Sequence, residues 1–219
     1  MIIQPDAALS SGLRNVGGKA WNLARLGECL LPLFEADSEE AKERVIASLQ
    51  NYATRFRRRW LELMGRKIGL QSKNEEEYKI VTDWLELMAT NKLDFTLAHW
   101  NLARDLAEID NPLQSIFSES EAFQSWKIRW LDSLGAAKHQ KESRNIVALE
   151  MRDNNPLVIP RNHLVEKALE SASFEGDYKN FYALLHALKT PYATDWSEPL
   201  FAETAPTGFT DSFRTFCGT

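Results

Sequence analysis

Cations and aromatic rings interleave in the run Arg55-Phe56-Arg57-Arg58-Arg59-Trp60, a composition that can grip a nucleic-acid backbone. On a helix, however, Phe56 and Trp60 stand one turn apart and face a core, while Arg57, Arg58 and Arg59 spread around the other side. A solvated charged face is therefore the better reading. His99, His139, His163 and His186 show no HxxxH or HExxH pairing, so each is read as a surface or satisfied histidine and not as a ligand or base. Val16-Gly17-Gly18-Lys19 has the lysine and two glycines of a phosphate loop but not the preceding strand or the remaining glycines; it is read as a turn before the first helix. There is no GxSxG, GxxxxGKS/T or GxGxxG motif, and no spacing among the Asp and Glu residues singles out an acid–base pair. The residue pattern thus yields no catalytic, cofactor-binding or metal-ligating set.

Of the two cysteines, Cys29 lies in the apolar run Leu23–Leu33 and is expected to be a buried core thiol. Cys217, in Phe216-Cys217-Gly218-Thr219, is near the chain end, where a thiol is either idle or exposed and reactive. Neither has a second Cys or a His at zinc-site spacing. With 26 Lys+Arg against 31 Asp+Glu the net charge is -5, which gives no global field to attract nucleic acid or an anionic membrane. No run is apolar for long enough to span a bilayer. The start, MIIQPDAALSSGL, carries an acid and no basic segment before an apolar stretch, so a cytoplasmic, reducing location is expected.

At 219 residues, with 44% hydrophobic residues, the chain is long enough to bury a core without staples. Its apolar residues fall at helical spacing almost throughout. The first helix is expected from Lys19 to about Glu35 (Trp21, Leu23, Leu26, Leu30, Leu31, Leu33), kinked or ended by Pro32. A long second helix starts at Asp37-Ser38 and carries Val45, Leu49, Tyr52, Phe56, Trp60 and Leu63 as one stripe, ending near Gly65 or Gly69. A third starts around Asn74 with Tyr78, Val81, Trp84, Leu85 and Met88 inside, and a fourth starts at its cap Asp94. A fifth holds Phe123, Trp126, Ile128, Trp130, Leu131 and Leu134; a sixth spans about Lys141 to Met151. Two more are expected at Arg161 to Ser173 and Tyr178 to Leu188, after a joint whose prolines bias Asn155 and Ile159 away from helix. The expectation is all-α: an irregular multi-helix bundle of about eight helices, with residues 1–17 irregular, residues 18–219 a helical domain and a coil tail from Thr190.

One stretch is too particular for a generic helix: Met151-Arg152-Asp153-Asn154-Asn155-Pro156, continuing to Pro160-Arg161-Asn162-His163-Leu164. It resembles the MRxxNPxxxxRNxL element near the C-terminus of the selenoprotein O family, also called YdiU or UPF0061. Ala20-Trp21-Asn22-Leu23-Ala24-Arg25-Leu26 with Leu30-Leu31-Pro32-Leu33 is similar to that family's WNLARLAExLLPL segment. Asp94-Phe95-Thr96-Leu97 is similar to its DFTxxF segment, and Gly176-Asp177 through Pro191-Tyr192 to its GDxxxxxxLLxxLxxPY stretch. The ending Phe216-Cys217-Gly218-Thr219 is similar to the cysteine-containing terminus common in bacterial members.

The resemblance implies a protein-kinase-like enzyme that transfers AMP from ATP to Ser, Thr or Tyr hydroxyls of protein substrates, with Mg²⁺ or Mn²⁺. It also implies that the nucleotide lysine, metal aspartate and catalytic base lie in a kinase-like portion preceding the WNLARL segment, so that no catalytic, cofactor or metal residue carries over onto this chain. On that basis the chain corresponds to the C-terminal helical portion, with the N-terminal kinase-like portion and the family's protein substrates as partners. Cys217 is the one functional residue that transfers, in a redox-regulatory role; its family partner, a cysteine of the activation segment, has no counterpart in Cys29. A stand-alone helical interaction module without catalytic activity is the competing expectation.

Overall fold

The computed structural model describes residues 21–33, 38–71, 74–110, 112–135, 140–192, 201–209, 213 and 214. Helix α1 occupies residues 21–30 and tightens into a 3-10 turn at Leu31–Leu33, where Pro32 removes a donor from the helical ladder. Helix α2, Ser38–Lys67, carries Glu39 and Glu40 in its first turn and Arg66 and Lys67 in its last, both matched to the helix dipole. Helix α3, Glu75–Thr90, is capped by Asn74, whose side chain accepts from the Glu77 N–H; α4, Phe95–Leu106, is capped by Asp94, which accepts from the Leu97 N–H. Then follow α5 (Pro112–Ile116), α6 (Glu121–Ser133, capped by Ser120), α7 (Lys141–Asp153), α8 (Asn162–Glu170) and α9 (Lys179–Lys189). A π-turn at Ser171–Glu175, closed by Gly176 at φ 66°, joins the last two. No β-strand occurs among the described residues, so the all-α expectation holds.

The core is an aromatic stack at the α3–α6 interface. Phe117 and Phe123 stack at 4.2 Å, Trp84 on Trp126 at 4.8 Å, and Trp126 on Trp130 at 5.3 Å, separations at which offset rings attract. Two indoles also tie the layers together by hydrogen bonds: Trp126 Nε1 donates to the Ile80 carbonyl at 2.9 Å and Trp130 Nε1 to that of Ile68 at 2.7 Å. Helix α4 packs on α7 and α5, and α2 on α3 and α7.

Several expectations need correction. The short helix α5 had no periodic signal, because five residues make little more than one turn. Ile128 is 61% exposed: Phe123, Trp126 and Trp130 form the inward row, and Ile128 falls about 200° around the helix from Trp126. Leu63 is also exposed; the buried side of the last turns of α2 runs through Leu61 and Met64, and Ile68, just past its end, continues it. Cys29, expected in the core, is exposed, as are Trp21, Leu26 and Leu30 of the same helix. In the tail the Phe213 N–H donates to the Phe209 carbonyl at 2.9 Å, a helical contact in what was expected to be plain coil. Residues 1–17 and Cys217 lie outside the described residues. Within those residues no helix is long and apolar enough to cross a membrane.

Candidate functional site at the joint of α2, α4, α7 and α8

Three of the stretches singled out in the sequence meet in space. Arg161, at the entry to α8, donates from Nη1 to Asp94 Oδ2 at 2.7 Å and from Nη2 to Asp94 Oδ1 at 3.0 Å, a bidentate pair 67 positions apart. Arg161 Nη2 also lies 3.4 Å from the Ala202 carbonyl, which brings the tail to the same point. Both side chains are largely buried, at 4% and 12% exposure. Burial alone would raise the Asp94 pKa, but the hydrogen bonds from Arg161 and the Leu97 N–H, together with the arginine charge, outweigh it and hold the carboxyl below its ordinary value.

Asn155 forms the second knot. Its Nδ2 donates to the Lys67 and Met151 carbonyls, each at 2.8 Å, while its Oδ1 accepts from Lys67 Nζ at 3.3 Å. Lys67 Nζ also donates to the Asn154 carbonyl at 3.1 Å. Asn155 thus locks the C-terminus of α2 to that of α7. The stretch that follows, held extended by Pro156 and Pro160, sends the N–H groups of Leu157 and Val158 to the Pro191 carbonyl at 2.8 and 3.2 Å. The proline of the Pro191-Tyr192 pair therefore acts through its carbonyl, the one polar group its backbone retains.

Lys67, Asp94, Phe95, His99, Asn155 and Ile159 line a notch of about 220 Å³ between these knots. Burial lowers the Lys67 pKa and pushes His99 down to about 3. Buried among Phe95 and Trp84, His99 is neutral and its Nδ1 pairs with the Phe95 carbonyl at 2.7 Å, which assigns the proton to Nδ1 and a lone pair to Nε2. Nε2 is buried without a hydrogen-bond partner among the described residues, so His99 is neither a surface histidine nor, within them, a fully satisfied one. His186 is exposed, His163 is half-buried, and His139 lies outside the described residues.

These residues do not fit a Mg²⁺–ATP site. Both oxygens of Asp94 already accept from Arg161, and Oδ1 accepts from the Leu97 N–H as well. Among the described residues no group of three or more His, Cys, Asp or Glu is placed to hold a metal ion. What the joint can do chemically is position helices: its charges and amides are consumed by one another. The basic run of α2 likewise serves as a solvated face, with Arg58 and Arg59 both near Glu62, at 3.6 and 3.2 Å. Sequence reasoning missed Lys67 and the burial of His99; the only signal for Lys67 was its place in the last turn of a long helix.

Comparison with known proteins agrees with the motif residues. The family profile of Protein adenylyltransferase SelO matches residues 17–189. A Protein nucleotidyltransferase YdiU of Cereibacter sphaeroides is 40% identical over 200 residues, covering 91% of this chain and 39% of the relative. Proteins of the same name from Bacillus cytotoxicus and Chromobacterium violaceum are 37% and 36% identical, again over 91% of this chain and 39% and 41% of their own length. The chain thus spans about two fifths of the curated relatives it matches. The matched residues run from α1 through α9, and on that evidence the chain belongs to the SelO family of protein adenylyltransferases.

Proposed function

We propose that this chain is the helical C-terminal region of a SelO-type AMP transferase acting on Ser, Thr or Tyr hydroxyls of proteins. In this reading it lacks the nucleotide and metal site and buttresses a kinase-like portion that binds ATP with Mg²⁺ or Mn²⁺ in the cytoplasm. The observation that carries the reading is how the motif residues are used. Asp94, Asn155, Arg161 and Pro191 belong to the stretches that mark the family, yet each spends its hydrogen bonds on holding helices together. A carboxylate already clamped by a bidentate arginine is a poor metal ligand or general base.

The test is AMP transfer with labelled ATP, Mg²⁺ and an acceptor protein. This chain alone is expected to leave the acceptor unlabelled, while the full-length Cereibacter sphaeroides relative serves as the positive control. Robust transfer by this chain would sink the reading.

Cys217 enters the same proposal as a redox-regulatory thiol. Oxidation is expected to produce a mixed or intramolecular disulfide that Cys217→Ser abolishes; identical mass and mobility of oxidised and reduced protein would remove that role.

A further inference from the structure

Three of the stretches that mark the family are consumed inside the joint, whereas the fourth, on α1, has almost nothing to pack against. Trp21, Leu26, Leu30 and Leu33 are 63%, 53%, 40% and 76% exposed. Their helix lies along the first half of α2, with Gly27 so close to Val45 that an added Cβ would sit 2.7 Å from its Cγ1. That half of α2 is no better covered. Among the described side chains of residues 38–60 none is buried, and Ile46 is 52% exposed. At 1.5 Å per residue, roughly 30 Å of α2 therefore projects beyond the core as a two-helix arm with a bare apolar face.

We propose that this arm face is a docking surface for the part of a longer family member that this chain does not cover. The inference rests on the reading given under Proposed function and names the contact surface it requires. Two observations commit it to that occupant. The arm lies within the family match at residues 17–189, so it is family sequence, while about three fifths of each curated relative's length lies outside the chain's match. The charge also indicates the partner's character: Arg44 through Trp60 holds five arginines and no acid or lysine, and only Arg58 and Arg59 of these face an acid on their own helix, Glu62, among the ion pairs of the described residues. The complementary surface is thus a folded protein face that is apolar at its centre and acidic along its rim.

Hydrogen exchange tests this on intact proteins: this chain alone and the full-length Cereibacter sphaeroides relative. Peptides covering residues 21–33 and 38–55 are expected to exchange rapidly in this chain, and the aligned peptides of the relative about tenfold or more slowly. Peptides over 75–106 should be protected alike in both. Equal exchange of the arm in the two proteins overturns the proposal, whether fast in both or slow in both. Sedimentation distinguishes the alternative occupant: a monomer with a fast-exchanging arm supports the proposal, and a dimer that protects the arm overturns it in favour of a second copy. AMP transfer by this chain alone would defeat the underlying reading without altering the exchange pattern, so the two failures are separable.

Discussion

Arg161 and Asp94 exchange two hydrogen bonds where there is little water to replace either partner. Removing one leaves the other charge stranded, which costs far more than an exposed pair would. Arg161→Ala is expected to destabilise the fold by about 3 kcal/mol in urea unfolding. Asp94→Asn keeps an oxygen for the Leu97 cap yet should also destabilise, because the arginine loses its counter-charge. His99 sets the acid limb of stability. Its pKa falls from the ordinary 6.5 to about 3 on folding, so between those values the unfolded chain binds the extra proton. Stability therefore declines as pH drops from about 6.5 toward 3 and recovers as pH rises through that window. The lowered Asp94 pKa adds in the same direction at the acid end, its stabilisation being lost as pH falls through the folded value. Denaturation at pH 7 and at pH 4.5 is expected to show a smaller difference for His99→Leu than for the unmodified chain.

Among the helices, α2 changes role part-way along, and the change is settled where it ends. Gly69 sits at φ 77°, and a Cβ there would lie 2.5 Å from Val147 Cγ1 on α7. Gly69→Ala therefore meets both left-handed strain and a clash at the turn that carries Lys67 into the joint, and should cost about 2 kcal/mol or more. Thermal unfolding reads this directly. At the other end of the chain, exposed Cys29 on α1 should react with a thiol reagent in the folded protein at close to the rate of a free cysteine. Measured in a Cys217→Ser background, protection of Cys29 would contradict the bare arm. The starts of α3 and α4 were legible in the sequence because Asn74 and Asp94 cap them through bonds three residues away. Which side of α1 would be buried was not legible: periodicity gives an apolar face to a helix but says nothing about whether another element covers it.

For the whole molecule, the division runs between local and long-range physics. Helix positions, caps and proline stops depend on contacts within a few residues, so the sequence displayed them, and the all-α class follows from their unbroken succession. Family membership was likewise legible, in the stretches around Trp21, Asp94, Asn155 and Pro191. The work those residues perform required the tertiary structure. The Arg161–Asp94 pair spans 67 positions and the Lys67–Asn155 contacts 88, and no period or propensity links residues so far apart. Burial has the same character. Trp21 and Trp84 are alike in sequence terms, yet one is 63% exposed and the other fully buried. The difference lies in whether another helix arrives to exclude water, because the hydrophobic effect rewards only area that a neighbour removes from solvent.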